Sequence, residues 1–251
     1  MIDRVQLKKE AKQITKTACV SAYLFTLLYW IIISVLDAAS TYVSGDVITL
    51  MQLYAPDMAV PAIFQRAAEF PPMTVLFVTV MVSLLNSVLH AGNVLYHQGV
   101  RAGEEMPFST LFDGFSFVGK LILLDIVMYL LVFLWSCLFV IPGLIAVYRY
   151  RFAVYNLCEN PELGVMEALH MSKVQTQGYK GDLFILDLSF FGWSLLCTLT
   201  LGILSIWVTP WMMQTDIGYF EEIKRRKGVG KIRSELPQHD EFCGDDGFDP
   251  L

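Results

Sequence analysis

Asn86, His90, Asn93 and His97 fall at i, i+4, i+7 and i+11, one continuous helical face, with Ser83 and Ser87 beside it. The surrounding run from Met73 to His97 is otherwise apolar, so this face reads as a polar stripe in lipid. Imidazole titrates near neutrality and carboxamides coordinate polar solutes, which makes the stripe a candidate hydrated pathway or ligand-lining surface. The plainer alternative is interhelical hydrogen bonding, at roughly 0.6 to 2 kcal/mol per contact and with no solute involved. A metal site is disfavoured, because His90 and His97 are two turns apart with no carboxylate near them in sequence.

A second constellation consists of charges inside apolar runs: Asp125, Asp187 and Asp216, with Arg149 and Arg151 interrupting a further run. Each such residue costs about 2.5 to 3.5 kcal/mol at mid-membrane, so these groups must pair or face water. They are expected to share a cytoplasmic-side ion cluster, either a proton or ion relay or a structural network locking short helices. Glu167 and His170, at i and i+3, can be imagined as an acid–base dyad, but no nucleophile, metal triad or phosphate loop accompanies them. The chain has no G-x-S-x-G, H-E-x-x-H, Walker loop or G-x-G-x-x-G. The expectation is therefore a non-enzymatic protein with no catalytic residue, cofactor or metal, and no nucleic-acid partner, since two short basic clusters are explained by membrane topology.

The elements that must position these residues follow from composition. With 55% hydrophobic and only 17% charged residues, and a mean hydropathy of +0.52, the chain has too little polar surface for water. Lipid is the expected solvent and the expected fold is all-α, a polytopic helix bundle. The five cysteines are scattered and never in a C-x-x-C pair, so no disulfide framework or zinc site is indicated.

Six spans are expected, at about 18–36, 73–97, 121–139, 143–158, 183–200 and 203–222, within a bundle over 18–223. Residues 1–17 precede them as a cytoplasmic amphipathic helix, with Lys9, Lys12 and Lys16 on one face and Leu7, Ala11, Ile14 and Ala18 on the other. Asp37 is expected to end the first span, and an acidic, Pro-broken outer loop to run from 37 to 72. Arg101 to Lys120 carries spaced aromatics and suggests an interfacial helix.

Charge decides how Ile141-Pro142-Gly143 is read. As a kink in one long helix it would leave Arg149, Arg151, Lys173 and Lys180 outside; as the tight turn of a hairpin it places them inside, as the positive-inside bias requires. A break near Thr200-Leu201-Gly202 divides the last apolar stretch by the same logic. The fourth span is short and interrupted by its arginines, so a tilted or partly interfacial helix remains an alternative. Both termini are then cytoplasmic, in a multi-pass protein of the cell membrane. Residues 224–251 form a basic then acidic tail, expected to be disordered. In it Lys224, Arg225, Arg226 and Lys227, like Lys9, Lys12 and Lys16, suit anionic headgroups, and six acidic residues follow Arg233 and account for the net charge of −6.

Leu111-Phe112-Asp113-Gly114-Phe115, Pro142-Gly143 with Tyr148 and Tyr150, Glu159-Asn160-Pro161, Glu167-Ala168-Leu169 with Ser172-Lys173, and Leu188 to Trp193 together carry a family resemblance. On these motifs the chain resembles the domain of unknown function 975 family, a group of uncharacterised bacterial integral membrane proteins, over most of its length. The resemblance implies a multi-span architecture and bacterial origin, and supplies no catalytic residues.

Two functions remain in view. One is a non-enzymatic factor in envelope or membrane homeostasis, whose cytoplasmic face or acidic tail engages a protein partner or lipid. The other is a small-solute or ion transporter or channel using the intramembrane polar residues. A membrane-embedded enzyme acting on lipid ranks last.

Overall fold

Asp3 opens the first helix by accepting the backbone N–H groups of Val5 (3.0 Å) and Gln6 (3.1 Å), which caps α1 (Arg4–Thr17). The computed structural model describes residues 2–17, 21–45, 53, 70–200 and 202–230, and every regular element among them is helical. The acidic tail and nearly all of the expected outer loop lie outside the described residues.

α2 runs Ala22–Ser44 and ends at Gly45, whose φ of 73° is a left-handed stop. Asp37 therefore does not end the first helix, as its charge suggests; the helix continues for two more turns. α3 (Pro72–Ala102) starts with proline in its first turn and closes at Gly103, φ 83°. A 3-10 segment, Phe108–Phe117, leads into α4 (Val118–Leu138). It lies tight against α3 because two glycines permit it: a Cβ on Gly92 would fall on the carbonyl of Leu111, and one on Gly114 would lie 2.6 Å from the carbonyl of Val88.

The reversal after α4 occurs at Phe139, in extended backbone (φ −160°, ψ 151°), rather than at Pro142-Gly143. Pro142 and Gly143 lie in the first turn of α5 (Val140–Tyr150), where proline's missing N–H costs no helical bond. Gly143 packs on Ser136, and the contact leaves no room for a Cβ. α5 is followed by the short α6 (Ala153–Glu159), so the expected fourth span is two helices broken at Arg151-Phe152. Near the start of α4, Lys120 donates to the carbonyl of Pro161. The α5–α6 arm thus returns along α4 to the end from which α4 set out.

α7 covers Val165–Thr176, α8 Lys180–Leu199 and α9 Ser205–Lys227. Asn160 accepts from Glu162 N–H at 3.2 Å in a turn, and α7 starts only at Val165, later than Asn160-Pro161 suggests. α8 and α9 form a second hairpin about Gly202 (φ 85°). Trp211 sits 5.0 Å from Phe190 and 5.6 Å from Trp193, ring centre to ring centre.

Among the described residues, four helical stretches are long and apolar enough to cross a membrane: Ala22–Ser44, Pro72–Ala102, Phe108–Cys137 and Lys180–Leu199. The fourth and sixth expected spans are not among them: α5 and α6 are each too short, and the second half of α9 is polar. Only 17% of the most apolar window of each of the four is buried; Phe25, Leu124 and Leu186 turn inward, whereas Ile31, Phe77, Leu130 and Leu188 face outward. Burial concentrates instead where the end of α3 meets α6, α7 and the second half of α9. On α1, Leu7, Ala11 and Thr15 are buried while Lys9, Lys12 and Lys16 are exposed. Its contacts are chiefly with α9, so the apolar side of α1 covers protein.

Candidate functional site

Because α2 stays helical past Asp37, that carboxylate faces α3, where Asn86 Nδ2 donates to its Oδ1 at 3.0 Å. From the next residue of α3, on the side turned toward α4, Ser87 Oγ donates to Oδ2 of Asp125. The two bonds tie α3 to both neighbours and frame a cleft of about 680 Å³ between the three helices. α2 contributes Tyr29, Asp37 and Ser40; α3 contributes Thr79, Ser83, Asn86, Ser87 and His90; α4 contributes Asp125 and Tyr129. A volume of this size suits a small ligand, and acidic, imidazole and hydroxyl groups in one void can bind a cation or pass a proton.

The polar stripe of α3 divides along its length. Asn86 and His90 line the cleft. Asn93 and His97 do not: they are 3% and 0% exposed, and Gln214 of α9 donates to the His97 carbonyl at 2.9 Å. The stripe keeps one face of the helix, but its neighbours change, from the open gap between α2 and α4 to closely packed α9.

The expected ion cluster also divides. Arg151 joins Asp187 (2.6 Å) and grips Asp216 with two nitrogens (2.8 and 3.3 Å). Tyr148 donates to Asp187 and Tyr155 to Asp216, each at 2.9 Å, giving the two carboxylates a cation and two phenol donors. This network pins α8 and α9 to the α5–α6 arm. Asp125 is not in it, being bonded to Ser87 across the cleft. Nor is Arg149, whose carbonyl accepts from Ser172 (2.9 Å) and Thr176 (3.2 Å) of α7.

The basic residues expected at lipid headgroups are partly internal. Lys224 is 1% exposed and pairs with Glu159. Lys227 donates to the carbonyls of Val174 and Gln177, capping the end of α7. Arg225 and Arg226 pair with Glu222 at 3.0 and 2.7 Å. Lys8 turns inward as well: its Nζ lies 3.9 Å from the centre of the Phe190 ring and donates to Ser189 at 2.7 Å. Burial, with the nearby Arg4 charge, lowers its pKa. Glu167 and His170 are exposed on α7.

Sequence reasoning missed Asp37, because it was read as a helix boundary; a carboxylate followed by more helix-compatible residues was the available signal. It also missed Tyr129 and Tyr155, since a tyrosine in an apolar run has no distinctive pattern, and it singled out Tyr148 only as part of a family motif.

The second half of the chain carries a family signature. Residues 137–227 match the family model described as Protein of unknown function (DUF975). The match takes in α5 to α9, and with them the Arg151 network and the motifs from Pro142 to Trp193. Leu111 to Phe115 lies before it, so the resemblance is shown over a shorter stretch than most of the chain. The cleft lies almost wholly outside the DUF975 segment, with only Val154 of its lining inside. No curated protein and no solved structure matches the chain.

Proposed function

We propose that the chain is a six-pass, non-enzymatic integral membrane protein that admits a small polar solute to the cleft between α2, α3 and α4, as a carrier or channel does. The observation carrying this reading is the cleft itself: two carboxylates, an imidazole and several hydroxyls around about 680 Å³, on helices otherwise apolar enough to lie in lipid. Intramembrane ionisable groups are rare and face water or a solute path.

The pass count rests on the two hairpins. The α5–α6 arm returns to the level of Lys120, and α9 runs back along α8 through the Arg151 network and the Phe190–Trp211 contact. Both arms thus lie at the depth of an apolar partner helix. On this reading both termini lie in the cytoplasm and the cell membrane surrounds the bundle.

The test is water access. Ser83→Cys, in the cleft, is expected to react with a water-soluble thiol reagent in membranes, whereas Leu130→Cys, 62% exposed on the apolar side of α4, is not. Equal inertness of the two would refute the reading. A second reading, a factor engaging a protein partner or anionic lipid at the cytoplasmic face, is favoured by the exposed row Lys9, Lys12 and Lys16 on α1.

A further inference from the structure

We propose that the group received by this cleft is a small organic ammonium. The inference rests on the reading of the cleft as open to solutes, and it names their class.

Charge matching elsewhere in the protein sets the contrast. Asp187 and Asp216 share Arg151, Glu221 has Arg101, Glu159 has Lys224 and Glu222 has Arg225 and Arg226. Asp37 and Asp125 take part in no ion pair among the described residues, and no Lys or Arg lines the cleft. Their partners are an amide and a hydroxyl, which leave carboxylate lone pairs open. Asn86, another residue of the cleft, has a buried Oδ1 without a hydrogen-bond partner while its Nδ2 serves Asp37. The site thus offers several acceptors and negative charge, and lacks a donor that carries positive charge.

An ammonium group fits that demand, since it brings a charge and up to three N–H donors. The rings of Tyr29 and Tyr129 in the walls supply faces that attract organic cations. A bare divalent metal fits less well: among the described residues no three His, Cys, Asp or Glu side chains come close enough to hold one. The volume, about 680 Å³, is far larger than a bare ion needs and takes a molecule the size of a lipid headgroup or a small amine. The same chemistry can come from either source, a free amine from water or an ethanolamine headgroup from the bilayer.

The full chain in lipid nanodiscs, with native cysteines replaced and Ser83→Cys as reporter, separates the outcomes. Ethanolamine is expected to slow thiol labelling at Ser83→Cys, and ethylene glycol, of similar size without the charge, is not. Asp125→Asn is expected to weaken the ethanolamine effect about tenfold or more, the loss of a charge-assisted hydrogen bond. Asp37→Asn, at a more exposed position, provides the same test should Asp125→Asn fail to fold. Slowing in phosphatidylethanolamine discs relative to phosphatidylglycerol discs, with no effect of free ethanolamine, assigns the ammonium to lipid; the converse assigns it to a soluble amine. Protection by ethylene glycol equal to that by ethanolamine, or no protection by any amine at a reactive Ser83→Cys, overturns the ammonium assignment and leaves the open cleft standing. An unreactive Ser83→Cys removes both.

Discussion

Lys120 Nζ donates to the carbonyl of Pro161, so the stretch of chain between them leaves and returns at one level. The contact makes the α4–α5–α6 segment a closed hairpin although its returning arm is broken at Arg151-Phe152.

Compartment-sensitive reporters at Glu104 and Gln177 are therefore expected to read the same side of the membrane, opposite to one at Asp57. Opposite readings at Glu104 and Gln177 would mean that the α5–α6 arm does not return, and would remove the six-pass arrangement.

The Arg151 network predicts an order of damage. Arg151→Leu leaves Asp216, with a side chain 11% exposed, and Asp187, 39% exposed, without their cation. Removing one partner of a buried pair costs about 3 to 5 kcal/mol, and the cost shrinks where water reaches the remaining charge. Thermal unfolding in detergent should rank Arg151→Leu as most destabilising, then Asp216→Asn, then Asp187→Asn. An unchanged midpoint for Arg151→Leu would show that the network does not hold the hairpins together.

Two glycines on apolar helices should respond in opposite ways to the same methyl group. Gly92→Ala drives a Cβ into the Leu111 carbonyl, and the 3-10 segment must move away, at a cost of about 1 to 3 kcal/mol or more. Gly192→Ala meets nothing within 4 Å and should be neutral or slightly stabilising through helix propensity. Similar midpoints for the two variants would argue against the close approach of the 3-10 segment to α3.

The basic run at the end of α9 should prove to be two kinds of residue. Lys224→Met leaves Glu159, 12% exposed, beside a buried methyl thioether, and is expected to destabilise by about 2 kcal/mol or more. Arg226→Met breaks an exposed pair with Glu222 and should leave stability nearly unchanged. Binding to anionic vesicles should weaken for Arg226→Met. A stability loss for Arg226→Met as large as that for Lys224→Met would contradict this division.

The helical fold is legible in the sequence because lipid allows little else: long apolar runs without strand alternation satisfy their backbone bonds only as helices. The family motifs from Pro142 to Trp193 are legible as local patterns, and so is the polar stripe, since Asn86 to His97 share a face by helical period alone.

Which polar residue meets which was not local information. Asp37 looks like a boundary because a charge opposes insertion, and it stays helical because Asn86 and the cleft receive it. Asp125 and Arg149 seem fit for the Arg151 network by depth along their helices, yet they face other neighbours. Lys224 reads as a membrane-surface cation until Glu159 draws it inside. Period and composition determined the helices and their faces; only the packing of one helix against another decided which groups are paired, which are buried, and which remain open in the cleft, because pairing depends on distances between segments far apart in the chain.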